Sequence, residues 1–223
     1  MSSLAAVIFD FDGVILDSET PEFESHRRIY ERCGAALTVE EWCDQVGIYT
    51  EGEEKRWFLR LCERVNQAPA THEEYDAERR RNFLELVPSE PRRGIRELLE
   101  ALREAGVPTA IASSGPARWV VPAAERIGMT PLFRTIVSGD DVARGKPAPD
   151  VYLEAARRLG ADPAKSVAIE DSGPGLASAR AAGLKTVAIP HWLTERHELS
   201  GADLRVAHAG ELTVARLATL VNQ

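Results

Sequence analysis

Two kinds of apolar pattern alternate along this chain. Short continuous apolar runs, each stopping abruptly at polar residues or proline, stand at 7–9, 107–112, 135–137, 167–169 and 186–189. Runs of this length without polar alternation are what a strand covered on both faces requires. Between them the apolar spacing changes to three and four. The stretch 92–104 carries Ile95, Leu98, Leu99 and Leu102 and stops at Gly106, and 150–159 follows Pro147 and Pro149, with Asp150 placed to cap it and Gly160 to end it. The stretch 174–182 is built on Gly175, Ala177, Ala179, Ala181 and Ala182, small enough to lie very near a sheet, and 211–221 adds Leu212, Ala215, Leu217 and Leu220.

This alternation predicts an α/β fold, a Rossmann-like doubly wound parallel sheet with helices on both faces. One stretch departs from it. Residues 18–87 hold only helical spacing, at 23–33, 39–46, 53–65 and 73–87, joined by segments with Gly34, Gly47, Gly52 and Pro69. The expected organisation is therefore an α/β core from 1–17 and 88–223 with an all-helical insertion over 18–87. Trp42, Tyr49, Trp57 and Phe58 fall in the insertion, where core packing is the first expectation.

Composition narrows the function classes. A chain of 223 residues, 44% hydrophobic and 28% charged, can bury a substantial core as one domain with an insert or as two unequal domains. A net charge of −8 argues against a nucleic-acid surface. The basic run Arg79-Arg80-Arg81 sits among Glu73, Glu74, Glu78 and Glu85 on an expected helix, the pattern of a solvated, ion-paired face. Cys33, Cys43 and Cys62 are odd in number and lack metal or redox spacing, so reduced thiols are expected. His26, His72, His191, His197 and His208 show no ligand or base spacing and are expected as surface or core residues. No leader pattern and no apolar run near the roughly 20 residues of a membrane span is present, so a soluble cytoplasmic protein with no membrane and no nucleic-acid partner is expected. Oligomeric state has no signal in the pattern.

The chemistry lies where the apolar runs stop. The first ends at Asp10-Phe11-Asp12-Gly13, the second at Ser113-Ser114-Gly115, and the third leads through Ser138 toward Lys146. The fourth ends at Glu170-Asp171-Ser172-Gly173, and the fifth at Pro190 with no such cluster. Each has a local reading: a turn at Asp12-Gly13, a helix cap at Ser113 or before Pro174, a surface loop at Lys146. Taken together those readings leave unexplained why every cluster follows a strand, whereas carboxyl ends of parallel strands are where open α/β sheets bind ligands.

Carboxylates converging there repel one another unless a cation sits among them. An oxygen-only set without paired His or Cys selects a hard ion, Mg²⁺. Because Mg²⁺ shares its shell with water and phosphate oxygens, Lys146 and the Ser113 hydroxyl point to a transferring phosphoryl group. Asp10 is then placed to attack phosphorus, and Asp12 to protonate the leaving alcohol and later deprotonate the attacking water.

The segments FDFDGVILDSE, IASSG, GKPAPD and IEDSGPGLASARAAG, in this order, resemble the haloacid dehalogenase superfamily, and its β-phosphoglucomutase and sugar-phosphatase branch in particular. The likeness is most specific over 5–19 and 107–190; the insertion is similar to that branch's helical cap domain by position and pattern only. It implies Asp10 as nucleophile, Asp12 as general acid/base whose backbone carbonyl also ligates Mg²⁺, Ser113 with neighbouring Ser114 as phosphate ligands, and Lys146 as the cation steadying phosphate and nucleophile. Glu170 and Asp171 complete an implied metal set of Asp10, Asp12, Glu170 and Asp171, with Glu170 reaching the ion directly or through water.

The implied activity is a Mg²⁺-dependent phosphatase acting on a small phosphorylated metabolite, such as a sugar phosphate, through an aspartyl-phosphate. Two departures weigh against the alternative, a hexose-phosphate mutase. Many relatives carry a histidine where this chain has Glu22, and Gly47-Ile48-Tyr49-Thr50 lacks the mutase's cap arginine. The second acid, Asp12, weighs against dehalogenation, and an insertion of roughly seventy residues weighs against a non-catalytic phospho-acceptor module. Glu22, Tyr49, Thr50, Lys55 and Trp57 are the expected substrate contacts of the cap.

Overall fold

The computed structural model describes residues 4–43, 55–195 and 199–222. In chain order the elements are β1 (Ala6–Phe9), α1 (Glu19–Arg32), α2 (Val39–Cys43), α3 (Arg56–Arg64), α4 (His72–Leu86), α5 (Ile95–Glu104), β2 (Thr109–Ala112), α6 (Ala117–Arg126), β3 (Thr135–Val137) and α7 (Asp150–Leu159). They continue with β4 (Ser166–Glu170), α8 (Gly173–Ala181), β5 (Lys185–Ala188), β6 (Leu204–Arg205) and α9 (Val214–Leu220). The chain divides into two compact units, one of Met1–Leu16 with Ser89–Gln223 and one of Asp17–Pro88. No helix of the described residues is long and apolar enough to cross a membrane.

The first unit is built on a parallel sheet in the order β3-β2-β1-β4-β5-β6. From β1 the chain steps outward through β2 and β3, then returns to the other side of β1 with β4. The reversal falls between β1 and β4, so their carboxyl ends flank the point where such sheets bind ligands. Phe9 stands opposite Ile111 on one side and Ile169 on the other, which brings the ends of β1, β2 and β4 to one level. These three strands are fully buried, as their unbroken apolar runs require.

One layer of the core joins Ile8, Ala110 and Ala168 to Val151, Tyr152, Ala155 and Ala156 of α7 and Ala179 of α8. The glycine and alanine content of α8 has a specific use: a Cβ on Gly175 would lie 2.0 Å from Glu170 Oε2. Two elements had no forecast in the apolar pattern. The strand β6 is two residues long with no apolar run, and α6 carries Pro122 in its interior, where proline normally ends a helix.

In the second unit α1 packs along α4 around an aromatic cluster. Trp42 and Trp57 stack with ring centroids 4.9 Å apart, and His26 lies 5.2 Å from Trp42 and 5.5 Å from Tyr75. Thr71 caps α4 by accepting from the Glu74 backbone N–H. The expectation of a solvated basic face needs one correction. Arg80 and Arg81 are exposed, but Arg79 falls one turn after buried Tyr75, on the same face, and its guanidinium donates 2.8 Å bonds to both Glu22 oxygens and to Asp76. Cys33, Cys43 and Cys62 are free thiols.

Glu22, His26 and Tyr75 form a chain inside this unit. The Tyr75 hydroxyl bonds His26 Nδ1, and His26 Nε2 lies 3.4 Å from Glu22 Oε1. A neutral imidazole that accepts at Nδ1 and donates at Nε2 satisfies both contacts. Burial pushes the His26 imidazole below its ordinary range against the pull of Glu22. Burial also works against the Glu22 charge, but the His26 hydrogen bond and Arg79 outweigh it and hold the carboxyl below its usual value.

Both groups therefore contribute stability that is present above their unfolded values and lost as pH falls through the folded ones, the imidazole first, from about pH 6.5 downward. Hydrogen exchange in α1 and α4 should accelerate on acidification, after correction for intrinsic rates, and His26→Phe should flatten the imidazole part of that dependence. Protection that is indifferent to pH in the native chain would contradict the assignment.

Candidate active site

The buried run of β1 delivers Asp10 to the sheet edge, where its backbone N–H donates to Ile169 O at 2.9 Å and locks it beside the end of β4. The next residues turn away at once. Gly13 has φ +79°, and a Cβ there would lie 2.3 Å from Asp171 Oδ2, so both conformation and space require glycine. The Gly13 carbonyl accepts from the Arg92 guanidinium, which also reaches Pro190 O at 3.3 Å and thereby ties this turn to the loop after β5.

Three carboxylates meet at this point. Asp10, Glu170 and Asp171 are buried, and each offers an oxygen within 4.8 Å of the others. Lys146 Nζ donates to Asp10 Oδ1 at 2.5 Å and to Glu170 Oε1 at 2.6 Å, and sits 5.1 Å from the Tyr152 ring centre. Glu170 is bonded through both of its oxygens. Its Oε1 also accepts from the Tyr152 hydroxyl at 2.6 Å, and its Oε2 accepts from the Asp171 N–H at 3.2 Å and the Ser172 hydroxyl at 3.3 Å. The Thr194 hydroxyl lies 3.4 Å from Asp171 Oδ2.

The Lys146 ammonium is shared by Asp10 and Glu170, with Asp171 close beside them, and burial makes the proximity of these acids a titration effect. Burial raises the Asp10 carboxyl well above its usual range; Lys146 opposes the shift, while Glu170, Asp171 and Asp12 add to it. Burial works against the Lys146 charge, but Asp10 and Glu170 outweigh it and hold the ammonium above its ordinary value. A buried, oxygen-only donor set is what a hard divalent cation fits.

Asp12 stands apart from this cluster. It lies in the turn between Asp10 and Gly13, half-buried, accepting from Ser113 Oγ at 3.3 Å and from the Trp119 indole N–H at 2.9 Å. Ser113 directly follows β2, with its N–H bonded to Val137 O and its hydroxyl accepting from the Gly115 N–H at 2.9 Å. Ser114 is half-buried beside it. Together these residues set a buried carboxylate, a second acid and a hydroxyl at the ends of β1 and β2, beside the ammonium of Lys146 from the loop after β3, a constellation suited to transfer of a phosphoryl group.

Residues 4–183 match the haloacid dehalogenase-like hydrolase family. The chain belongs to this family. It is 36% identical over 220 residues to YhcW of Bacillus subtilis, covering 98% of each chain. It is 33% identical over 184 residues to the phosphorylated carbohydrates phosphatase of Thermotoga maritima, covering 82% of this chain and 84% of that one. A haloacid dehalogenase family hydrolase from Deinococcus radiodurans, crystallised with phosphate and sodium, superposes with a TM-score of 0.77 at 30% identity, covering 99% and 98% of the two chains.

Several contacts in this hydrolase have no counterpart in the sequence reading. Tyr152 could have been found, since it shares the buried face of α7 with Ala155, Ala156 and Leu159, and a core tyrosine needs a partner for its hydroxyl. Trp119, Arg92 and Thr194 gave no such signal, because their partners are distant in sequence. Of the expected substrate contacts, Tyr49 and Thr50 lie outside the described residues. Glu22 is bonded to Arg79 and His26, Trp57 stacks on Trp42 beneath Arg60, and Lys55 is exposed just before α3.

Proposed function

We propose that this hydrolase is a Mg²⁺-dependent phosphatase of small phosphorylated metabolites, with sugar phosphates as the favoured class. The observation that carries the reading is the meeting of Asp10, Glu170 and Asp171 at the switch point of the sheet, with Lys146 paired to the first two. The phosphatase name of the Thermotoga relative and the phosphate bound in the Deinococcus structure support it.

Asp10 attacks phosphorus while the ester oxygen leaves, taking a proton from the Asp12 carboxyl. Water then attacks the aspartyl-phosphate, giving its proton to Asp12 and returning Asp10 as a carboxylate. Ser113, Ser114 and Lys146 hold the phosphoryl oxygens through both steps. Mg²⁺, held by Asp10, Asp171 and the Asp12 backbone carbonyl, with Glu170 acting through water, would supply the charge that balances carboxylates and phosphate. Glu170's own oxygens are already engaged by protein donors, which suits that indirect role. We assign substrate selection to the helical unit of Asp17–Pro88, with Glu22, Tyr49, Thr50, Lys55 and Trp57 as its first candidates.

Phosphate release from a panel of phosphometabolites tests the reading, with Mg²⁺ against a chelator. Release that depends on Mg²⁺ is expected, and no release from any member would refute it. With β-glucose 1-phosphate and a bisphosphate primer, free phosphate rather than glucose 6-phosphate should accumulate, since a mutase would show the reverse.

The ion should also raise the melting temperature, and more at neutral pH than in mild acid. A carboxyl whose folded value is raised contributes stability below its unfolded value near 4 and loses it as pH rises through the folded one. The metal-free protein is therefore penalised at neutral pH, and the cation relieves that penalty. A melting temperature indifferent to Mg²⁺ would count against the metal assignment.

A further inference from the structure

We infer that Trp119 is a positioning residue for the proton-transfer group: its indole N–H fixes the Asp12 carboxylate in the orientation from which it serves the leaving oxygen. This rests on the assignment of Asp12 as general acid/base. The turn around Asp12 is fixed by its backbone, through the Asp12–Leu16 bridge and the bonds from Gly13 N to Leu16 O and from Ile15 N to Phe11 O. Those bonds fix where the residue begins but leave its side-chain torsions undetermined. Trp119 reaches the far end, donating to Oδ1 at 2.9 Å.

The ring is itself held in place. Phe11 meets it edge-on at 6.3 Å, and Gly115 leaves it room, since a Cβ there would lie 3.2 Å from Trp119 Cδ1. Sitting in the first turn of α6, Trp119 links the loop after β2 to the turn after β1.

The choice of indole has a chemical reason. It is a donor without acceptor capacity, so it orients a carboxylate without competing for that group's proton. By engaging Oδ1 it leaves Oδ2 to carry and release the proton. Ser113 Oγ, 3.3 Å from Oδ2, is also the hydroxyl assigned to the phosphoryl group.

The test compares leaving groups in single-turnover reactions, which read only phosphoryl transfer to Asp10. 4-Nitrophenolate departs as a stable anion without a proton, whereas the alkoxide of a sugar phosphate requires one. For Trp119→Phe, transfer from the sugar phosphate should fall about tenfold, and the aryl-to-alkyl rate ratio should rise by a similar factor. Asp12→Asn should move the ratio in the same direction and further.

Equal losses on both substrates would overturn the inference, since a packing defect does not distinguish leaving groups. If the phenylalanine variant does not fold, benzothienylalanine at position 119 keeps the bicyclic ring without the N–H, and the same ratio change is expected. A ratio unmoved by Asp12→Asn would remove the acid/base assignment itself. A ratio moved by Asp12→Asn and unmoved by either change at position 119 would remove only the role of Trp119.

Discussion

Asp10→Asn should abolish phosphate release, by at least about 10³-fold, without loss of the fold. The amide is nearly isosteric with the carboxylate, so packing at the end of β1 is preserved, and the backbone bond to Ile169 O is untouched. What is lost is the negatively charged oxygen that attacks phosphorus. The electrostatics run the other way, because the variant removes one of three buried carboxylates while Lys146 keeps its 2.6 Å contact with Glu170. Without metal, the melting temperature should equal or exceed that of the native chain. A low activity explained by unfolding would show as a fall in melting temperature, and activity near the native level would contradict the assignment of Asp10.

Lys146→Met should damage both activity and stability. The ammonium is almost fully buried, and its loss leaves Asp10 and Glu170 facing each other without their shared cation. Breaking a buried pair by removing one partner costs about 3–5 kcal/mol. Because the folded value of Lys146 is raised, the native pair contributes fully at neutral and moderately alkaline pH, and its contribution is lost only as pH rises through that folded value. The variant's deficit, measured by denaturant unfolding without metal, should therefore be large at neutral pH. Acidification should shrink it, since protonation of Asp10, whose carboxyl burial already raises, relieves the repulsion. A deficit below about 1 kcal/mol would show that the pair is not a local source of stability. Phosphoryl transfer should also slow, because no other residue described at this point supplies a buried ammonium.

The contrast between these two substitutions shows which parts of the site were legible in the amino-acid order. Asp10, Lys146, Glu170 and Asp171 could be placed near one another because each lies at or beyond the carboxyl end of a strand, and parallel strands bring those ends together whatever separates them in sequence. The strands themselves were legible where burial on both faces made them continuous apolar runs, as in β1, β2 and β4. The two-residue edge strand β6 has no such run, and α6 carries an exposed Pro122 in its interior, a residue that reads as a helix stop.

Side-chain partners were legible only where helical spacing or a strand end implied them. The family resemblance implies a histidine in many relatives where this chain has Glu22, but the sequence does not show that Arg79 and His26 receive its carboxylate. It shows two acids around Phe11, but not that one joins a carboxylate cluster while the other is held by Ser113 and Trp119. Hydrogen-bond geometry across the sheet edge depends on loop conformation, which apolar periodicity does not encode.

The most direct measurement is chemical capture of the covalent intermediate. The enzyme is mixed with Mg²⁺ and a good substrate, quenched in acid during turnover, reduced with borohydride and digested. An acyl phosphate on Asp10 is reduced to the alcohol, so the peptide spanning Val7–Gly13 should carry homoserine in place of Asp10. Rapid turnover that leaves this peptide unmodified, or places the reduced residue at another acid, would contradict the account.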